Sequence, residues 1–188
     1  MEKQLSAHQF KEIYDSLGID LNDLGCVMLD CFPITLKEEA QYNFHTSTNP
    51  DRFWIKGWVA GETPHITLLY GLLSPAEDLK DQVRKVLTGW QLSEVEVESV
   101  DYFDSPYEDD PYYCIIAKIK TSDKLLEGHN RLQFLPHINT FAGYIPHLTL
   151  GYLVKDELQR DKLIADLKPQ LEGKILKIKP ILNLGGNK

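Results

Sequence analysis

The sequence predicts an α+β fold of two related lobes, in which two antiparallel sheets line a central cleft and helices lie outside. Three observations carry that expectation. Short apolar or alternating runs bounded by Gly and Pro are interspersed with helical periodicity along the chain. The frame Pro64-His65-x-Thr67-Leu68-x-Tyr70 recurs as Pro146-His147-x-Thr149-Leu150-x-Tyr152. Each copy follows a strand-like run and precedes a helix and a further strand, so the repeat is a strand/strand/helix/strand unit with pseudo-two-fold symmetry. No linker or low-complexity segment divides the chain. Residues 1–188 are therefore expected to form a single bilobal domain, with residues 1–24 as an N-terminal helical extension.

The elements follow in order. Ser6-Ala7-His8-Gln9 has capping-box form, and Phe10, Ile13, Tyr14 and Leu17 stand at helical spacing behind it. Gly25 to Phe32 is short and apolar, a strand. Residues 37–52 are polar and turn-rich, a long surface loop, and the aromatic stretch Phe53 to Ala60 is a strand or flap. Residues 63–71 form a strand entered through Pro64. Ser74-Pro75-Ala76-Glu77 starts a helix carrying Leu79, Val83, Val86 and Leu87 that stops near Gly89. Glu94 to Phe103 alternates as a strand, and the acidic loop Tyr107 to Pro111 leads to the strand Tyr112 to Lys120. Ser122 caps a helix ending before Pro136. Residues 145–152 repeat the first motif strand, and a helix from Asp156 to Leu171 precedes the last strand, Lys174 to Leu184.

Charge narrows the function. The chain has 28 acidic and 20 basic residues, a formal charge of −8. Wrapping long nucleic acid requires clustered Lys and Arg to displace counterions, so long RNA is disfavoured and a small nucleotide is not. Cys26, Cys31 and Cys114 have no CxxC spacing and read as free thiols of a reducing, cytoplasmic compartment. The N-terminus has no apolar signal-peptide core, and no apolar run approaches the ~20 residues that span a bilayer, so no membrane partner is expected.

The repeat carries the chemistry. In a strand, residues two apart share a face, so His65 projects with Thr67 and His147 with Thr149. A pseudo-two-fold axis would set the pairs on opposite walls of one cleft. Two facing imidazoles form a general base and general acid suited to neutral pH, and the hydroxyls can donate to phosphate oxygens. Chance alone yields roughly 0.3 His-x-Thr triplets in such a chain, and two in matching frames exceed it. Neither metal nor cofactor is expected. A catalytic zinc needs about three protein ligands, and the pairs have no carboxylate at ligand spacing.

The two motifs resemble the signatures of the two-histidine (2H) phosphoesterase superfamily, which includes 2′-5′ RNA ligase-like proteins and cyclic phosphodiesterases. The resemblance covers roughly residues 24 to 184 and, within the superfamily, looks like the phage-encoded group. It implies a bilobal α+β fold and metal-independent cleavage of phosphodiesters involving a ribose 2′ oxygen, with His65, Thr67, His147 and Thr149 as the matching positions. The implied substrate is a small nucleotide: a 2′,3′-cyclic phosphate, a 2′-5′ linkage or a cyclic oligonucleotide by which a host signals infection. Two rivals are a nucleotide-binding sponge without catalysis and RNA end-processing or ligation.

Tyr70 and Tyr152, at equivalent positions, are candidate substrate contacts against core packing as the alternative. In a regular strand Tyr70 falls on the face opposite His65, and only a bend brings it round. Tyr144, Trp54 and Trp58 are aromatic candidates for stacking a nucleobase. His45 reads as a loop residue, His129 and His137 as helix-surface and turn residues, and Glu108-Asp109-Asp110 as a solvated turn.

Overall fold

Why these residues form a closed sheet is clearest from the computed structural model, which describes residues 7–19, 24–34, 36, 64–105, 111–139 and 143–186. Among the described residues the order is α1 (Ala7–Ser16), β1 (Gly25–Cys31), β2 (His65–Leu72), α2 (Lys80–Val86), β3 (Glu94–Asp104), β4 (Tyr112–Ile119), α3 (Asp123–Leu132), β5 (His147–Val154), α4 (Glu157–Leu171) and β6 (Ile175–Gly186). The expectations for residues 37–62, which include Trp54, Trp58 and His45, and for the acidic turn at 106–110, lie outside the described residues.

The strands pair antiparallel in the closed circuit β1-β2-β5-β4-β3-β6. The predicted repeat is visible in it, with one exchange. β3 follows the first motif but pairs with β4 of the second half, and β6 follows the second motif but pairs with β1 of the first. Each half therefore contributes the third strand of the other's sheet. The sheets β6-β1-β2 and β3-β4-β5 meet at the β2–β5 seam and again where the start of β6 pairs with the start of β3.

Alternation decides which side of each strand is buried. β1 alternates buried and half-buried positions along its whole length. Val27, Ile66, Leu68, Ile115, Leu148 and Leu150 belong to the main core. Helix α4 adds Leu163, Leu167 and Leu171, one stripe at four-residue spacing and fully buried. Burial of each such leucine is worth roughly 1.5–3 kcal/mol relative to exposure. The caps match expectation at two helices. Ser122 Oγ accepts from the Leu125 N–H at 3.2 Å, and Asp156 Oδ1 from the Gln159 N–H at 3.1 Å.

Two departures have a local cause. Ser74-Pro75-Ala76-Glu77 does not start α2. Asp78, Leu79 and Lys80 donate to the carbonyls three residues back, and the Ala76 N–H goes to Gly185 O on β6 at 3.2 Å. That tie to β6 holds the segment as tight turns, and α2 begins later, at Lys80. Ile13 in α1 and Leu17 just after it remain 45% and 66% exposed, so the apolar stripe read in the sequence is not fully buried.

Helix α3 is held by a close approach at Gly128. A Cβ there would meet Trp90 ring carbons at 2.4 and 2.6 Å, and Trp90 Nε1 donates to Lys124 O at 2.8 Å. Alanine is intrinsically the better helix former by about 1 kcal/mol, but overpacking of about 1–3 kcal/mol opposes it. With Trp90 buried and hydrogen-bonded, packing wins. Gly128→Ala is expected to lower stability by about 1–2 kcal/mol in urea melts, and an unchanged or raised midpoint would refute the contact.

Candidate active site

The β2–β5 seam is narrow, joined by one ladder pair, Ile66 with Leu148. Because the strands are antiparallel, extending that register by one residue sets His65 beside Thr149 and Thr67 beside His147. Ile66 and Leu148 are buried, whereas the four flanking side chains are half-buried on the other face. The seam thus brings together the four residues that the two motifs supply.

Each motif strand also carries a bulge at the same place. Met28 pairs with Thr67 but Val27 with Leu69, so Leu68 is the extra residue. Ile116 pairs with Thr149 but Ile115 with Gly151, so Leu150 is extra. A bulge shifts side-chain parity by one. Tyr70 therefore stands opposite Cys26, and Tyr152 opposite Cys114, on the His–Thr face. Tyr70 is 39% exposed and is not a core residue. The regular-strand expectation for Tyr70 fails because of the bulge, and the bend reading holds.

The two walls differ in chemistry. On the first, Asp30 stands across from His65 and accepts from the Asn183 amide at 2.9 Å. On the second, Lys118 stands across from His147 and pairs with Glu98 at 2.8 Å. Tyr112, Cys114 and Ile116 form a small apolar cluster there with Phe103 and Tyr152 packed against it. The Phe103 ring meets the His147 ring edge-on at 5.0 Å, and Tyr112 meets Tyr152 the same way at 5.3 Å.

His147 is oriented and kept neutral. Its Nδ1–H donates to Ile145 O at 2.8 Å, which leaves Nε2 with its lone pair. Burial lowers its proton affinity below the ordinary imidazole value; the Ile145 hydrogen bond offsets part of this, and the nearby His65 adds a smaller lowering effect. Cys114 Sγ lies 4.0 Å from Thr149 Oγ1. Burial raises that thiol to about 11, so it stays protonated at neutral pH.

Tyr144 is deployed as scaffold. Its hydroxyl donates to Thr67 O at 3.1 Å, and its ring stacks on His129 at 3.9 Å between centroids and 5° between planes. His129 is therefore not a helix-surface bystander: its Nδ1–H reaches Leu68 O at 2.7 Å. The sequence reading also missed Phe103, Asp30 and Lys118. The β3 alternation could have flagged Phe103, but the other two need the strand register. A groove of about 450 Å³ lined by Glu94, Glu96, Lys120, Ser122, Asp123 and Ile175 lies apart from the histidines. Its lysine, Lys120, is engaged in an ion pair with Glu96 at 3.0 Å and no histidine lines it, so the two histidines mark the chemistry more strongly.

Solved structures that the chain is similar to include Kluyveromyces marxianus Usb1. One is 10% identical with a TM-score of 0.49, covering 88% of this chain and 99% of that one. Another, of the same protein with uridine monophosphate, is 11% identical with a TM-score of 0.47, covering 89% and 100%. No curated protein matches the sequence. Residues 38–179, roughly three quarters of the chain, match the profile of the 2′-5′ RNA ligase superfamily. The chain belongs to that superfamily of two-histidine phosphoesterases, and its chemistry is that of a phosphodiesterase.

Proposed function

We propose that the protein is a metal-independent phosphodiesterase acting on a small nucleotide, with His65 and His147 as the acid/base pair and Thr67 and Thr149 binding the non-bridging phosphate oxygens. The observation that supports this most is the β2–β5 register, which sets both His-x-Thr pairs on one face across a single ladder pair. The donor set supports a metal-free reaction, since two imidazoles and two hydroxyls already supply proton transfer and charge stabilisation. Candidate substrates are 2′,3′-cyclic phosphates, 2′-5′ linkages and cyclic oligonucleotide messengers. The net charge of −8 favours these over long RNA. A counter-defence role against a host's nucleotide signal rests on the resemblance to the phage-encoded group.

Sequence symmetry leaves the roles of the two histidines open. The lowered proton affinity of His147 and its open Nε2 favour it as the initial base. With a 3′-5′ diester, His147 would take the proton of the adjacent 2′-OH, whose oxygen attacks phosphorus in line. The bond to the leaving 5′ oxygen then breaks as protonated His65 gives it a proton, leaving a 2′,3′-cyclic phosphate. With a cyclic phosphate as substrate, water takes the place of the 2′-OH.

Incubation with nucleoside 2′,3′-cyclic phosphates, 2′-5′ oligoadenylate and cyclic di- and trinucleotides in EDTA tests the reading. Turnover of at least one is expected, with His65→Ala and His147→Ala each slowing kcat roughly 10²–10⁴-fold. Tight binding without turnover would establish the sponge instead, and turnover abolished by EDTA would sink the metal-free mechanism.

The direction of the His147 shift sets a pH dependence. The folded state binds its proton less readily than the unfolded chain, whose imidazole titrates near 6.5. Stability is therefore expected to fall as pH drops below about 6.5 and to level off below the folded value. His147→Gln should flatten that slope in urea melts, and an unchanged slope would assign it to other groups.

A further inference from the structure

The backbone of β2 has an unusual set of partners on the side facing β5. Only Ile66 pairs with β5, through Leu148. Beyond it, the Thr67 carbonyl accepts from the Tyr144 hydroxyl, and the Leu68 carbonyl accepts from His129. Gly71 O accepts from the Ile138 N–H at 2.9 Å, and the Leu73 N–H donates to Pro136 O at 3.1 Å. Side chains thus take over where the ladder stops, at the bulge that turns Tyr70 toward the cleft. Buried carbonyls need such partners, and an unmet one costs about 1–3 kcal/mol.

The two side chains act as one piece. Their rings lie parallel in contact, and Gln133 Nε2 donates to His129 Nε2 at 3.2 Å, the nitrogen that the Nδ1–H tautomer leaves open. Burial holds the Tyr144 phenol above its ordinary range, so the hydroxyl stays protonated and donating. Tyr144 precedes His147 by three residues, and the carbonyl it grips belongs to Thr67, on the strand of His65. A link between these points bears directly on the distance between the imidazoles, because only one ladder pair joins the two motif strands to each other.

We propose that Tyr144 and His129 are positioning residues, a clasp that sets the spacing of His65 and His147 across the β2–β5 seam. Neither touches the reacting atoms. The clasp acts through the Thr67 and Leu68 carbonyls, holding the first motif's bulge at a fixed distance from the second motif's entry. Its catalytic consequence rests on the phosphodiesterase reading above, whereas its geometric consequence does not.

The test uses the full chain and four substitutions. Tyr144→Phe removes only the hydroxyl, His129→Leu removes the donor, and His129→Asn returns an N–H near the Nδ1 position. His65→Gln reports coupling: the change it causes in the NMR titration midpoint of His147 measures how strongly the imidazoles feel each other. Thermal melts establish that each variant is folded. In Tyr144→Phe and His129→Leu the coupling is expected to fall by half or more, with restoration in His129→Asn. On any substrate that the wild type turns over, kcat should drop about 10-fold or more with KM changed less than about threefold. Folded Tyr144→Phe and His129→Leu with wild-type coupling and kcat would overturn the proposal, as would a lowered melting temperature with coupling intact. If no substrate is cleaved, the phosphodiesterase reading fails while the titration still decides the clasp.

Discussion

The molecule depends most on how thinly its two halves are joined at the β2–β5 seam. A single pair, Ile66 with Leu148, anchors the register from the core side and leaves the opposite face for His65, Thr67, His147 and Thr149. Four further backbone groups along that edge, those of Thr67, Leu68, Gly71 and Leu73, are met from elsewhere, by Tyr144, His129 and the segment after α3. The narrow seam and the side-chain partners along it are two consequences of one constraint: buried backbone groups must be paired, and here the neighbouring strand cannot do it.

The paired bulges extend the same logic. By adding Leu68 to β2 and Leu150 to β5, the chain keeps both leucines in the core and brings the next tyrosine round to the cleft. A regular strand could not deliver His65, Thr67 and Tyr70 to one side. The symmetry of backbone is not matched by symmetry of chemistry. Asp30 and Asn183 make one wall polar, whereas Phe103, Tyr112 and Tyr152 make the other aromatic. Two equivalent frames thus present two unlike surfaces to whatever lies between the histidines, and burial beside the aromatic wall lowers the proton affinity of His147.

The exchange of third strands explains why the halves act together despite the thin seam. β3 and β6 each cross to the other half's sheet, so neither half has a complete sheet alone. Separating the halves would expose core residues such as Val97 and Ile178 as well as the seam. The β2–β5 seam can be short because the circuit closes on its other side, where β6 pairs with both β1 and β3.

Much of this was legible in the sequence. Period-two and helical patterns identify nearly every described element, and the repeated Pro-His-x-Thr-Leu-x-Tyr frame identifies the two histidines and two threonines, because alternation along a strand is a local property of the chain. Ser74-Pro75-Ala76-Glu77 was misleading, since its helix-start signal yields to a tie with Gly185 that local sequence does not encode. The remaining features belong to tertiary structure. A bulge is a mismatch between two strands, so the facing of Tyr70 and Tyr152 depends on β1 and β4. The roles of His129 and Tyr144 depend on carbonyls that a distant strand leaves unpaired. The sequence by itself determined which groups could transfer a proton; strand register, a relation between distant segments, decided which of them stand together and what holds them there.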